Sequence, residues 1–502
     1  MVTKNRNLAI LLIAIVAVVS ATSIGQAYAQ MVTDNEAGMI YTGNEAECWM
    51  DSDADGVMDT PCAIDSGHTA FVYTATTLVL WMTPGVAFFY GGLARSKNAV
   101  NTIGMTFIVI GLISLQWVLW GFSIAFGPEA DGVNEFASSF DYIGLNKVSH
   151  LAPLGAPLDD GTCLQTATCG SDYWAGLIPH QLFSMFQLTF AIITPALIIG
   201  ALIDRMKFSA LLVFIILWAS FVYDPVAHWV WGGGWLGGLD LNPDLSPSFA
   251  LDFAGGTVVH ITSGFSGLAA ALVLGRRLGY GKVPMEPHNV PMVVLGASML
   301  WFGWFGFNPG SELAADGVAV SAWVVTNTAT AMASITWLLM SWAHTGKPSI
   351  VGAASGAVAG LVAITPASGW VGPMASIIIG IAAGVLCYGA VAFKNARKWD
   401  DALDVWGVHG IGGFAGAVLT GTLASPHIFG GIGAWTGTPE GMEQQAINVI
   451  GAISTTAYAF VVTIVILKIM DAVWPGGIRV TPKEEEVGLD LAQHGERAYV
   501  NE

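Results

Sequence analysis

Apolar runs, each close to the ~20 residues that carry a helix across a bilayer, recur along the whole chain. They fall at roughly 69–90, 99–125, 174–203, 208–226, 254–274, 290–308, 317–342, 350–366, 371–393, 404–424 and 444–470. In hydrocarbon, every backbone N–H and C=O must be satisfied within the structure, which leaves helices or closed barrels. Runs this long are helices, so the expectation is an all-α polytopic membrane protein with eleven transmembrane helices, multi-pass in the cell membrane. Charged residues are only 11% of the 502 and apolar residues 54%, against about 25% charged in a soluble domain. No nucleophile–base pair, phosphate-binding glycine loop or cysteine-rich metal motif stands out. The expectation is therefore not an enzyme, with no cofactor and no nucleic-acid partner.

The N-terminus is a separate matter. Lys4 and Arg6 precede an apolar stretch from Leu8 to about Val19, and Ala27-Tyr28-Ala29 offers a small-residue cleavage site. Residues 1–29 read as a removed signal peptide, the alternative being one more, short transmembrane helix. Cleavage puts Gln30 outside the cell. Two of the 18 Lys and Arg lie in this leader, and of the others only Lys147 falls in an outer segment. The positive-inside rule then orients an odd number of spans with the N-terminus out and the C-terminus in. Residues 30–67 become an extracellular acidic extension, 68–470 the transmembrane domain and 471–502 a cytoplasmic tail. Composition alone makes that tail polar and partly disordered.

The segments 30–67 and 127–173 are acidic and favour cations near the outer face. Asp51, Asp53, Asp55 and Gly56, with Asp59, spell the start of a calcium loop, but its twelfth position is Cys62 instead of Glu. Calcium and a merely solvated acidic loop both stay open. Cys48, Cys62, Cys163 and Cys169 lie where disulfides persist and are disulfide candidates of open pairing. Cys387 sits alone in an apolar span and reads as packing.

Much of the glycine (61 residues) lies inside the spans, where small residues let helices approach closely. The pattern suggests helices one to five and six to ten as two halves, with the eleventh outside the repeat. An odd five-helix unit repeated in tandem is inverted across the membrane, which places conduction sites at the interface between halves. Of ten histidines only His260 and His409 lie well inside apolar spans, in the same helix of each half. Each follows an Asp near the start of its span, Asp252 and Asp404. A single buried His is often a packing residue. Two at matched positions point to an internal pathway, because ionisable groups in a span are costly. Burial disfavours the charged form, and neutral imidazole offers one donor and one acceptor to a small hydrogen-bonding molecule or a proton.

Aromatic residues gather near the outer ends of several spans: Phe186, Phe190, Trp231, Trp304 and Phe307, with Ser311 beside them. Singly, such residues are interface anchors; together they offer aromatic faces to a small cation. Asp252 reads first as a helix N-cap.

These segments resemble the Amt/Mep/Rh ammonium transporter family, on its Amt branch, from about residue 69 to residue 499. The resemblance rests on Phe88-Phe89-Tyr90-Gly91-Gly92-Leu93 with Lys97-Asn98, and on Asp252-Phe253-Ala254-Gly255-Gly256-Thr257-Val258-Val259-His260. Two further segments carry it: Gly303-Trp304-Phe305-Gly306-Phe307-Asn308-Pro309-Gly310-Ser311 and Gly407-Val408-His409-Gly410. It implies an outer ammonium recruitment site at Phe186, Trp231 and Ser311, in which Trp304 is also placed. Beneath it the resemblance implies a phenyl gate of Phe190 and Phe307, and then twin histidines, His260 and His409, lining an apolar pore. Asp252 is implied to organise the outer site. A homotrimer with one pore per subunit is implied too. The tail from Arg479-Val480 through Gly488-Leu489-Asp490 to Tyr499 resembles a regulatory C-terminus that in relatives often meets a PII-type signal protein. The extension 30–67 and the Cys163–Cys169 insert are not part of the common core. The expected function is ammonium transport, with deprotonation at the gate and passage of ammonia. The alternatives are an ammonium sensor with little flux and a haem-bearing electron-transfer protein with histidine ligands.

Overall fold

The structure is a computed structural model that describes residues 64–127, 138–148, 178–242 and 249–499, with 49–50, 60–61, 136 and 150 besides. The leader, the incomplete calcium loop (Asp51, Asp53, Asp55, Asp59) and Cys48, Cys62, Cys163 and Cys169 lie outside the described residues.

Nine helices follow one another as α1 (Ser66–Leu93), α2 (Ser96–Phe126), α3 (His180–Leu202), α4 (Phe208–Trp231), α5 (Gly256–Leu274), α6 (Val290–Gly310), α7 (Gly317–Thr345), α8 (Ile350–Ala367) and α9 (Pro373–Arg397). Next comes α10, residues 406–423, a π-helical turn at Trp406–Gly410 running into Ile411–Leu423. Then come the long α11 (Pro439–Val473) and a short α12 (Pro482–Val487). Among the described residues ten helices are long and apolar enough to cross a membrane, and α10 is not one of them. Its glycines and His409 dilute its apolar character, although it is a helix where the eleventh expected crossing would lie.

Helix starts are set by local chemistry. Side chains of Asp65, Asn289, Ser349 and Thr438 accept amides three residues on, from His68, Met292, Gly352 and Gly441 (2.7, 3.0, 2.9 and 3.2 Å). Each satisfies one of the donors that a helix start leaves free. The Asp65 cap starts α1 at Ser66, two residues before the boundary expected at 68.

α1 packs along α6, and α7 against α8 and α9, while α3 and α5 are the most enclosed helices. The α5–α10 crossing, between corresponding helices of the two expected halves, depends on glycine. A Cβ built on Gly264 would lie 2.0 Å from the Gly410 amide nitrogen and 2.2 Å from its Cα. Backbone cannot yield by that much. Gly264→Ala is therefore expected to push α5 off α10 and cost more than about 3 kcal/mol, read as loss of a monodisperse peak in detergent. Survival of native thermal stability would show that the two helices separate freely.

As far as residue 499 the tail is docked on the bundle, where its composition suggests partial disorder. Lys207 N bonds to Ile478 O (3.0 Å) and Val480 N to Arg205 O (2.9 Å), so the chain after α11 pairs with the α3–α4 loop. Lys97 Nζ then donates to the carbonyls of Glu485 and Glu486 (2.8 and 2.6 Å). The Asp490 carboxylate accepts the Val100 and Asn101 amides at the start of α2 (3.1 and 2.8 Å). Polar composition hides this because the partners lie on other elements.

Candidate functional site

A row of rings runs through the middle of the bundle. Phe186 and Phe190, one turn apart on α3, meet edge to face with centroids 4.9 Å apart. Phe190 touches Trp231 at the end of α4 (5.9 Å) and Phe307 on α6 (4.4 Å). Phe307 lies over the His260 imidazole at 6.1 Å, nearly parallel, and His260 stacks on His409 at 5.4 Å. Four consecutive ring contacts, from Phe186 through Phe190, Phe307 and His260 to His409, thus join the aromatic cluster on α3 and α6 to the histidine pair on α5 and α10.

Ser311 closes α6 with its hydroxyl donated to Phe307 O (2.8 Å). Trp231 and Ser311 are half-buried, whereas Phe186 is wholly buried beneath them. The Trp231 indole N–H donates to Asp252 O at 2.9 Å. The Asp252 side chain does not face the rings. Its Oδ1 accepts the amides of Gly255 and Gly256 (3.0 and 2.6 Å), and its Oδ2 those of Thr257 and Val258 (2.8 and 3.1 Å). Four donors at a helix start fix the carboxylate as the anchor of α5, and Gly255, at φ 111°, makes the turn into it.

That anchoring has a mate at the other histidine. Asp401 Oδ1 accepts the Val405 amide (3.1 Å) and its Oδ2 the Trp406 amide (2.8 Å). Asp252 stands eight residues before His260, and Asp401 eight before His409. The match expected at Asp404 is therefore corrected: Asp404 is partly exposed and pairs with Lys394. Each histidine sits in a π-helical turn, Gly256–Ile261 or Trp406–Gly410, a local widening common at functional positions.

The imidazoles meet Nδ1 to Nδ1 at 3.3 Å. A hydrogen bond between like atoms requires one ring to carry its proton on Nδ1 and the other on Nε2, so the pair is asymmetric in protonation though not in placement. His260 Nε2 has no partner among the described residues. The two rings border a cavity whose walls are otherwise apolar, including Val86, Ile193, Val259, Leu300 and Val358. Trp304, expected at the recruitment site, lies deeper. It is buried, stacks on His260 at 5.5 Å, donates its indole N–H to Thr365 Oγ1 (2.9 Å) and lines the same cavity. Tyr90 also lines the cavity, its hydroxyl turned to Leu197 O (2.9 Å). Periodicity does not single it out.

The sequence pattern also passes over Asp224, a fully buried acid within α4 whose Oδ2 accepts from Gln116 Nε2 at 2.6 Å. It stands near the end of an apolar run, where a polar residue attracts no notice.

The family model described as Ammonium Transporter Family matches residues 70–499. The ammonium transporter Amt1 of Archaeoglobus fulgidus is 44% identical over 436 residues, 87% of this chain and 100% of that protein. An ammonium transporter of Bacillus subtilis is 45% identical, covering 86% of this chain and 98% of the relative. Among solved structures, Mep2 of Candida albicans superposes with a TM-score of 0.74 at 37% identity, over 87% of this chain and 91% of that one. A chain described as a sensor Amt protein gives a TM-score of 0.73 at 28% identity, over 85% and 98%.

Proposed function

Because this chain belongs to the ammonium transporter family, a multi-pass membrane family, we propose that it moves ammonium by taking it apart. Ammonium is held at the outer end against Trp231 and Phe186, with Ser311 as acceptor, and the Phe190–Phe307 pair closes the way below. It gives up a proton there, and ammonia passes along the cavity beside His260 and His409 while the proton moves separately along the imidazoles. Asp252 holds the start of α5, and so the carbonyl that receives the Trp231 indole, in place.

The observation that carries this reading is the direct Nδ1–Nδ1 contact of two buried imidazoles within apolar walls. An apolar passage excludes an ion by its desolvation cost and admits a neutral molecule of the same size. Potassium resembles ammonium in charge and size but has no proton to surrender, so the arrangement separates the two. We place the N-terminus and the aromatic end outside the cell, and the docked tail inside. A homotrimer and a PII-type partner at that tail are the further expectations of family membership.

The sensor-described relative of similar fold supports one second reading, in which ammonium binds with little flux. The haem alternative fits the geometry poorly, since a macrocycle and its iron have no room between imidazoles in hydrogen-bond contact. Uptake of isotopic methylammonium into proteoliposomes decides between transport and sensing. Uptake well above empty liposomes, with an ammonium-evoked current absent in potassium, is the expected result. Uptake at the empty-liposome level leaves the sensor.

A further inference from the structure

Between α6 and α7 the chain makes a tight turn whose carboxyl groups the mechanism above does not use. Ser311 is followed directly by Glu312, and the amides of Glu312 and Leu313 bond back to Pro309 O and Gly310 O (3.2 and 2.9 Å). Leu313 takes φ 59°, a left-handed conformation that non-glycine residues rarely adopt. That turn holds Glu312 indoors. The residue is 7% exposed, and its Oε2 has no hydrogen-bond partner among the described residues.

The charged neighbour that bears on it is another carboxyl, Asp316, four residues on. Its role is already fixed: Asp316 Oδ1 accepts the amides of Val318 and Ala319 (2.9 and 3.1 Å) as the cap of α7. No Lys or Arg among the described residues pairs with either group. Titratable groups at the start of α1 also reach this turn. His68 accepts the Ala315 amide through Nδ1 (3.2 Å) and lies 3.4 Å from Asp65. Asp316 is exposed, whereas Glu312 is buried, and a buried carboxylate beside a second negative charge is disfavoured. A proton on Glu312, or a small cation beside it, relieves that cost.

We propose that Glu312 and Asp316 form a proton-exchanging carboxyl pair at the mouth of the aromatic site, which gives up its proton to take a small monovalent cation and so governs the loading of ammonium at Ser311. The inference rests on reading Phe186, Trp231 and Ser311 as the recruitment site. The exchange balances: the Glu312 O–H proton leaves to water and one ammonium takes its place. Burial, and then the charge of Asp316, push the Glu312 carboxyl up to about 8. The sign follows. Below that value Glu312 is neutral and adds nothing; above it the carboxylate attracts cations to the residue beside Ser311.

The test uses the full chain in proteoliposomes and methylammonium, which stays protonated across the range. In the native protein the half-saturating concentration should fall as external pH rises from about 6.5 to about 9. The expected fall is on the order of tenfold, the low end of what a focused charge does to local counter-ion concentration. Glu312→Gln should be flat with pH, at the native low-pH value. Asp316→Asn keeps the cap and removes the like charge, so its midpoint should move to lower pH, which a purely structural role would not produce. Independently of flux, infrared difference spectra of the solubilised chain should show a protonated carboxyl lost near pH 8, earlier with methylammonium present, and absent in Glu312→Gln. Native-like pH dependence in Glu312→Gln, or no such band, overturns the inference. Absent uptake in the native chain with the band present counts instead against the transport reading.

Discussion

Replacing either His260 or His409 by alanine is expected to abolish the ammonium-evoked charge movement, with a fall on the order of 100-fold, the scale of removing a positioned proton-transfer group. The geometry makes the loss symmetric. Each imidazole is the other's hydrogen-bond partner at 3.3 Å, and each closes one part of the same cavity wall. Removing one ring leaves the other with an unpartnered nitrogen in the apolar cavity and breaks the imidazole–imidazole hydrogen bond. Glutamine makes the sharper variant. Its amide keeps a donor and an acceptor at the site but cannot take a proton at one end and release it at the other, as a ring with two nitrogens does. His409→Gln should therefore fold, keep ammonium saturation near native and carry no current. If the current persists, the histidines are polar lining and the proton travels elsewhere.

The histidine pair was legible because an ionisable residue stands out against twenty apolar neighbours, and two of them at corresponding helices stand out more. The helix starts at Asn289, Asp316 and Ser349 were legible for a similar reason: a short polar residue before an apolar run is a cap in waiting. Trp304 was misplaced because sequence distance along α6 does not convey depth. It lies one turn before Asn308, to which its indole also donates (3.2 Å), and so belongs with the histidines. Asp404 drew attention by its nearness to the span, yet the informative signal was the repeated eight-residue interval from Asp252 to His260 and from Asp401 to His409. The docking of the tail and the burial of Glu312 were not legible from composition. Both depend on what the fold brings, Lys97 and the Asn101 amide in one case and a left-handed Leu313 turn in the other. Composition registers such residues only as polar.

Asp400→Ala is expected to be the most destabilising single change at the tail end of the bundle. Asp400 holds two arginines at once. Arg205 Nη1 reaches its Oδ2 at 2.8 Å and Arg277 Nη2 its Oδ1 at 2.8 Å, with the Arg277 amide on Oδ2 at 2.6 Å. Arg277 also touches Asp204 (3.3 Å), which in turn holds Arg95 (2.9 Å). Burial works to raise the Asp400 carboxyl, but the Arg277 hydrogen bonds and the Arg205 charge overcome it and hold the group below the ordinary carboxylate range. Its stabilising contribution is thus complete above about pH 4 and fades only as acid reaches that lowered value. Arg205 is wholly buried, so removing Asp400 strands a guanidinium without its ion-pair partner, a loss of about 3–5 kcal/mol. Lys483→Ala, an exposed change in the same tail, should stay within about 0.5 kcal/mol. Thermal denaturation in detergent, followed by the monodisperse peak, compares the two. The effect should reach transport as well, because Asp401, the next residue, fixes the turn that carries His409. If Asp400→Ala melts with the native protein, the arginines are solvated and the network does not hold α3, α5 and α10 in register.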